Sequence, residues 1–344
     1  MSASTTWLVT GAAGFIGSNF VRLALSERWC SRVVALDALT YAGNLENLAQ
    51  WTGEPDRFAF VRGDVADPNT VDRVFAGHKP SAVIHFAAES HVDRSIEDPA
   101  PFIHTNVTGT QVLLGAARAA PGSPRMLHVS TDEVYGSLAL DSTERFHEDR
   151  PYDPRSPYAA SKAAADFLVR AAFHTHGQDV IITNCSNNYG PYQFPEKLIP
   201  LAIMNLLRGE RVPVYGDGLN VRDWIHVEDH CRAVRACLEH GRSGETYCIG
   251  AENEQANIAV VRALAELTGR GESAIRYVRD RPGHDRRYAI DPAKARHELG
   301  WEPCIPWKEG LADTVRWYRE NTSWLENVRT GEFLNFYDRL YGAQ

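Results

Sequence analysis

A glycine-punctuated turn lies between a short apolar run and an amphipathic segment near the amino terminus, and few folds accommodate that arrangement. Trp7-Leu8-Val9-Thr10 leads into Gly11-x-x-Gly14-x-x-Gly17, and residues 18–28 follow with helical spacing. Glycine at these places permits a tight turn, a close backbone approach to a pyrophosphate, and close packing of helix on strand. The helix amino terminus then offers free N–H groups and a partial positive charge to phosphates. Further apolar runs occupy residues 33–36, 58–62, 82–86, 126–130 and 180–183. Most are continuous rather than alternating, as in strands covered on both faces. Helical patterns at 68–76, 99–120 and 161–174 separate several of them. This alternation predicts an α/β fold, a Rossmann-type doubly wound parallel sheet.

After residue 187 the texture changes. Tyr189-Gly190-Pro191-Tyr192-Gln193-Phe194-Pro195 is a proline and aromatic loop, and short helices, turns and tryptophans follow to the end. Residues 1–187 read as a dinucleotide-binding domain, and about 188–221 with 251–344 as a smaller mixed α/β lobe for substrate. Residues from about 222 to 250 contain a helix and a strand at 245–249 that return to the large sheet. A length of 344 residues suits two such units.

Two carboxylates end early strands. Asp37 closes the second run, where it can accept from both ribose hydroxyls of a dinucleotide and repel a 2′-phosphate, so NAD is favoured over NADP. Asp64 ends the third run and is placed to meet the adenine edge. The bland alternative is a glycine-rich turn with two capping aspartates.

Ser130-Thr131-Asp132-Glu133 ends the fifth run, and Tyr158-x-x-x-Lys162 opens a predicted helix. Lysine four residues after tyrosine lies on the same helix face, one turn away. A phenol with a pKa of about 10 is a poor base at neutral pH. The ammonium, with the positive nicotinamide ring, is expected to lower that pKa and to hold the ribose. Such a pair signals redox chemistry at a carbonyl or alcohol, and Asp132-Glu133 places an acid and a base beside it.

The chain resembles the extended short-chain dehydrogenase/reductase family and, within it, the nucleotide-sugar 4,6-dehydratases. The stretches that carry the likeness are TGAAGFIGSN, LDALTYAGN, HFAAESHVDRSI, STDEVYG, SPYAASKAAAD, NNYGPYQFPEKLIP, GDGLNVRDWIHVEDH and DRPGHDRRYAID, and they span nearly the whole sequence. The resemblance implies that Tyr158 takes the O4 proton of a hexose while C4 gives its hydride to NAD, with Thr131 bonded to O4. It assigns Glu133 as the base at C5 and Asp132 as the acid at the departing 6-hydroxyl. The hydride then returns to C6. Asp132 must arrive protonated, which burial beside Glu133 would supply. Epimerases of the same fold only remove and return a hydride at C4 and lack this pair.

The resemblance extends the cofactor site to Phe15, Ile16, Ala38, Leu39, Thr40, Val65, Phe86, Ala87, Ala88, Ser90, Thr105 and Asn188. It places Ser90 and Asn187 on the sugar. Lys197, Leu198, Pro213, Val214, Tyr215, Arg222 and Asn257 hold the nucleotide, and residues 281–284, with Arg281 and His284, add a second grip on the diphosphate. Guanidinium forks suit a diphosphate. The expected substrate is dTDP-glucose, with UDP-glucose as the alternative, since the residues do not separate thymine from uracil. A 4-epimerase and an inactive NAD-binding protein are weaker readings, and the pathway fed by the product stays open.

A formal net charge of -8 and the absence of any basic run argue against general nucleic-acid binding. No apolar run is long enough to span a membrane, and six cysteines without C-x-x-C spacing suit a reducing, cytoplasmic setting. His226-Val227-Glu228-Asp229-His230 tempts as a metal motif, but Val227 stands where a zincin carries glutamate, so no metal is expected. Acidic residues in the first turn of a helix explain that segment better. The family resemblance implies a homodimer formed through a helix bundle.

Overall fold

Continuous apolar runs become the strands of one large sheet in the computed structural model, which describes residues 5–329. In chain order the strands are β1 (Thr6–Thr10), β2 (Arg32–Asp37), β3 (Phe58–Arg62), β4 (Ala82–His85), β5 (Arg125–Thr131), β6 (Val180–Cys185), β7 (Asn187–Tyr189), β8 (Val212–Tyr215), β9 (Val221–His226), β10 (Thr246–Ile249), β11 (Glu254–Ala256) and β12 (Ile275–Val278). The large sheet has the order β10-β6-β5-β4-β1-β2-β3, and every pair in it is parallel. Strand order reverses between β1 and β4, so a crevice opens at their carboxyl ends, where ligands of such sheets bind.

Each face of the sheet has its own apolar layer. Phe20, Val21 and Leu25 of the helix Phe15–Ser26 pack with Val234, Cys237 and Leu238 of the helix Val227–His240 on one side. Val71 and Phe75, Leu113 and Leu114, and Val169 and Ala172 form the other side. Strands covered on both faces in this way need no polar face, which is why β4, β6 and the edge strand β10 are buried from end to end.

The second unit packs around its own core of Ile199, Ile203, Leu206, Val260, Leu264 and Leu311. Its sheets are small: β11-β9-β7 and β12-β8. The segment after residue 222 divides between the two units. Val221–His226 pairs with β7 and β11, whereas Val227–His240 and β10 pack on the large sheet. Among the described residues, no helix is long and apolar enough to cross a membrane. The lobe expected to run to residue 344 lies outside the described residues beyond 329, as do residues 1–4.

One helical expectation needs correction. Residues 99–120 form not one regular helix but Ala100–Phe102, a π-helical stretch Ile103–Thr108, and Gly109–Ala119. Asn106 explains the wider turn: its side chain accepts from Glu89 N (2.9 Å) and donates to Ser161 Oγ (2.8 Å), while its own carbonyl accepts from Thr110 Oγ1 (2.6 Å). Such wide turns concentrate at functional sites, and Thr105 of this one lines the cavity described next.

Candidate active site

The crevice between the two units is a cavity of about 440 Å³. At its β1 end the backbone is shaped by packing. Gly11 has φ +64°, and a Cβ there would sit 2.6 Å from Ala87 N; a Cβ on Gly17 would sit 2.2 Å from Gly11 O. Gly14 differs, because its Cβ would meet only Gly11 O, at 3.3 Å. It is also the N-cap of the helix Phe15–Ser26, and no side chain caps that end. The first-turn amides therefore keep their donors for a ligand in the cavity. Asp37 is buried; its Oδ2 accepts from Ala13 N (2.9 Å) and its Oδ1 from Leu39 N (2.7 Å), leaving a further lone pair on each oxygen. A dinucleotide's pyrophosphate and ribose hydroxyls fit this donor and acceptor set, and a 2′-phosphate does not.

Ala38, Thr40, Asp64, Val65, Phe86, Ala87, Ala88, Ser90, Thr105 and Asn188 line the same cavity, as do Phe15 and Ile16. Leu39 does not: it has φ +55°, and its contribution is the amide held by Asp37. Asp64 is already engaged, with Oδ1 accepting from Ala66 N (2.8 Å) and Oδ2 lying 2.9 Å from His104 Nε2.

At the β5 end the chemistry lies in side chains. Thr131 ends the strand and caps a 3-10 turn, Asp132–Tyr135, its Oγ1 accepting from Glu133 N (3.2 Å) and donating to Asp132 Oδ1 (3.3 Å). Burial, then the neighbouring Glu133 and Asp223, push the Asp132 carboxyl well above its ordinary range, in the direction that favours its protonated form. Burial also raises Glu133, opposed by the cations Arg281, Lys197 and Arg222. Asp132 thus has the stronger case for the acid and Glu133 for the base.

Tyr158 and Lys162 face the same cavity from the first turns of the helix Pro157–His176. Burial, then Glu133 and Cys185, push the phenol up, opposed by a hydrogen bond with Thr131. The Lys162 ammonium, expected from the sequence to lower that phenol together with a positive nicotinamide, donates to Val129 O (2.8 Å) and lies 3.4 Å from His128 Nε2.

The opposite wall carries Asn187, Lys197, Leu198, Pro213, Val214, Tyr215, Arg222, Asn257, Arg281 and His284. Lys197 Nζ donates to Ser90 O (2.7 Å), which ties this wall to the dinucleotide side. The Arg222 guanidinium lies 4.1 Å over the Tyr288 ring and donates to Asp285 O (3.0 Å). Asp132 Oδ2, Asn187 Oδ1, Asn257 Oδ1 and Trp224 Nε1 are buried without a protein partner among the described residues. Buried polar atoms ordinarily find partners, and these four belong to residues that line the cavity.

Sequence reasoning missed Asp93, Cys185, Glu196, Trp224 and Tyr288, all of which line the cavity. Glu196 is raised to about 7 by burial against the pull of Lys197 and Arg94. Its place beside Lys197 was the one available signal. In the segment 226–230, His226 caps the helix by accepting from Glu228 N (3.3 Å), and His230 Nδ1 lies 2.8 Å from Asn188 Oδ1.

A parallel dinucleotide-binding sheet, with tyrosine and lysine one turn apart beside an acid pair, defines an extended short-chain dehydrogenase/reductase. More narrowly, the chain belongs to the GDP-mannose 4,6 dehydratase family, whose model matches residues 8–314. It is 56% identical over 345 residues to a dTDP-glucose 4,6-dehydratase of Xanthomonas campestris pv. campestris, covering 95% of this chain and 97% of the relative. A crystal structure of dTDP-glucose 4,6-dehydratase from Streptomyces venezuelae with NAD bound is similar at a TM-score of 0.91 and 50% identity, covering 94% of this chain and 100% of that one. The UDP-glucose 4-epimerase of Thermotoga maritima is more distant, at 0.84 and 30%, with 92% of this chain and 100% of that one covered.

Proposed function

We propose that this chain is a hydro-lyase that converts dTDP-glucose to dTDP-4-keto-6-deoxyglucose and water. The observation that carries this reading is the pair of buried Asp132 and half-buried Glu133 beside Tyr158, in the cavity that also holds the glycine turn. High identity to curated dTDP-glucose 4,6-dehydratases supports it. NAD, held by the Gly11–Gly17 turn, Asp37 and Lys162, takes up a hydride from C4 and gives it back at C6. Thr131 orients the C4 hydroxyl, and Tyr158 receives its proton. Glu133 removes the proton from C5, which the adjacent ketone has made acidic, and a proton returns to C5 when the hydride reaches C6 of the 4-keto-5,6-ene left by water loss. Asp132 protonates the C6 hydroxyl, because hydroxide leaves poorly without that proton. Arg222, Arg281 and Lys197 hold the diphosphate end, and Asn187 and Ser90 meet the sugar.

The dinucleotide unit comprises residues 1–187 with the returning segment that ends near 250, and the rest forms the nucleotide-sugar lobe. A homodimer is supported by Phe167 and Ile103, which are 55% and 51% exposed on neighbouring helical segments. Six free thiols support a reducing, cytoplasmic setting.

Mass spectrometry of dTDP-glucose and UDP-glucose, each incubated with purified protein and no added reductant, tests the reaction. Loss of one water from the dTDP sugar alone is the expected result. Isomerisation at unchanged mass would make the protein an epimerase, and water loss from the UDP sugar alone would change the base it reads.

A further inference from the structure

Lys162 is buried, yet no carboxylate among the described residues lies within ion-pair distance of its ammonium. A buried charge without compensation costs several kcal/mol. Its direct partners are Val129 O at 2.8 Å and the neutral His128 ring, whose Nε2 is 3.4 Å away. The nearest countercharge lies beyond that ring: Asp166 Oδ1 is 3.3 Å from the same Nε2, and both side chains are fully buried. Asp166 sits one helical turn after Lys162, as Lys162 sits one turn after Tyr158. The other oxygen of Asp166 accepts from Ser130 Oγ (2.9 Å), Tyr152 Oη (2.9 Å) and Asn184 Nδ2 (3.3 Å). Three donors converge on that one oxygen and fix the carboxylate between β5 and the catalytic helix.

We infer that Asp166 is the countercharge of Lys162, acting through space across the His128 ring rather than by a hydrogen-bonded relay, and is therefore a positioning residue for the reaction rather than an ordinary polar contact of the core. This rests on the dehydratase reading only in that Lys162 serves the reaction. Nothing in the glycine turn or the acid pair points to Asp166; the geometry between β5 and the catalytic helix does.

Several groups surround this line. Lys162 also faces Cys185 of β6, a thiol that burial holds at about 12 and hence neutral. The His85 ring of β4 lies tilted, 5.2 Å from that of His128, and burial lowers its proton affinity. Tyr158 lies on Lys162's own helix. Beyond Asp166, Arg170 donates to Tyr152 Oη (3.0 Å). Among these groups Asp166 is the carboxylate that favours the charged ammonium, against a burial that brings Lys162 down to about 8.

The sign is definite. Neutralising Asp166 lowers the proton affinity of Lys162 further, so the ammonium is lost at lower pH. Asp166→Asn should move the alkaline midpoint of kcat down by about one unit or more. With the midpoint starting near 8, a shift of one unit corresponds to about a fivefold loss at pH 8 beside a small loss at pH 6. A variant slowed by one factor at every pH would show a merely structural role and overturn the inference. Should that variant not fold, Asp166→Glu keeps the charge and should keep the midpoint; a comparable downward shift there sinks the idea. A nitrogen NMR titration of the Lys162 ammonium, assigned by difference against Lys162→Arg, reads the same shift without turnover. Failure of wild type to dehydrate dTDP-glucose would thus remain distinguishable from failure of the Asp166 inference.

Discussion

The carboxyl ends of β1 and β5 both feed the same cavity, but they do so with different parts of the chain. At β1 the functional groups are backbone amides, and the glycines exist to let backbone approach backbone. At β5 they are side chains, whose proton affinities are set by burial and by one another. The first end is exact in its sterics and carries charge only as the partial positive charge of its backbone N–H groups. The second tolerates changes of shape better than changes of charge. A strand end in a parallel sheet can therefore be specialised for binding or for proton transfer without altering the sheet.

The largest effect should come from Gly17→Val. Its Cβ would lie 2.2 Å from Gly11 O, a backbone atom that cannot swing aside. Overpacking of this severity costs about 3 kcal/mol or more, so NAD binding should be lost together with soluble yield. Gly14→Ala meets a single atom at 3.3 Å and should fold normally while holding NAD less tightly. Calorimetric titration with NAD, alongside melting curves, separates the two. Equal behaviour of both variants would break the claim that packing and ligand approach are divided among these glycines.

Next come the proton-transfer groups. Tyr158→Phe should lower kcat by about 10³-fold, within the usual range for general acid–base groups, while bound NAD is retained. Glu133→Gln should allow oxidation at C4, visible as reduced nicotinamide absorbance, yet release no water. Elimination at the wild-type rate in that variant would remove Glu133 from its role and leave the β5 end without a base.

Much of this division was legible in the sequence, because each strand end is a contiguous motif. The glycine triplet, Asp37, Thr131-Asp132-Glu133 and Tyr158-x-x-x-Lys162 all lie within single turns of the chain. What was not legible depends on distant residues meeting. The π-helical stretch exists because Asn106 reaches Glu89 and Ser161. Tyr288 enters the cavity as a platform for Arg222, and Glu196 answers Tyr41 Oη at 3.0 Å across the two units. No local pattern encodes such contacts. The strands β11 and β12 escaped notice for a related reason: they are short, and most of their residues are only partly buried, so they carry no apolar run.

Asp132→Asn sharpens the comparison in a different way, because activity and stability should move in opposite directions. Burial raises this carboxyl above its unfolded value of about 4. As pH rises through that unfolded value the unfolded chain releases its proton first. Stability therefore falls until the folded carboxyl also ionises. Asparagine carries no such charge. The variant should lose water elimination yet melt about 2 °C higher at neutral pH, with no gain at pH 4. Melting curves at both pH values, compared with wild type, provide the check. A lower melting temperature at both would show that the hydrogen bond from Thr131 outweighs the cost of burying the carboxyl.

The smallest expected effect tests how the proton-transfer end is held in place. Ser156 caps the catalytic helix by accepting from Ala159 N at 3.1 Å, and Pro157 occupies the first helical position. Ser156→Ala should cost about 1 kcal/mol, the usual price of losing such a cap. The loss falls on the first turn, which carries Tyr158, rather than on the second, which carries Lys162. Cofactor retention should therefore stay at the wild-type level while kcat drops about fivefold, and Ser156→Asp should restore it. A melting temperature that falls with kcat unchanged would mean that Pro157 and the packing of Tyr158 against Phe102, 6.3 Å between ring centres, hold the turn without the cap. The β5 end would then resemble the β1 end after all, with its geometry fixed by sterics and only its proton affinities left to charge.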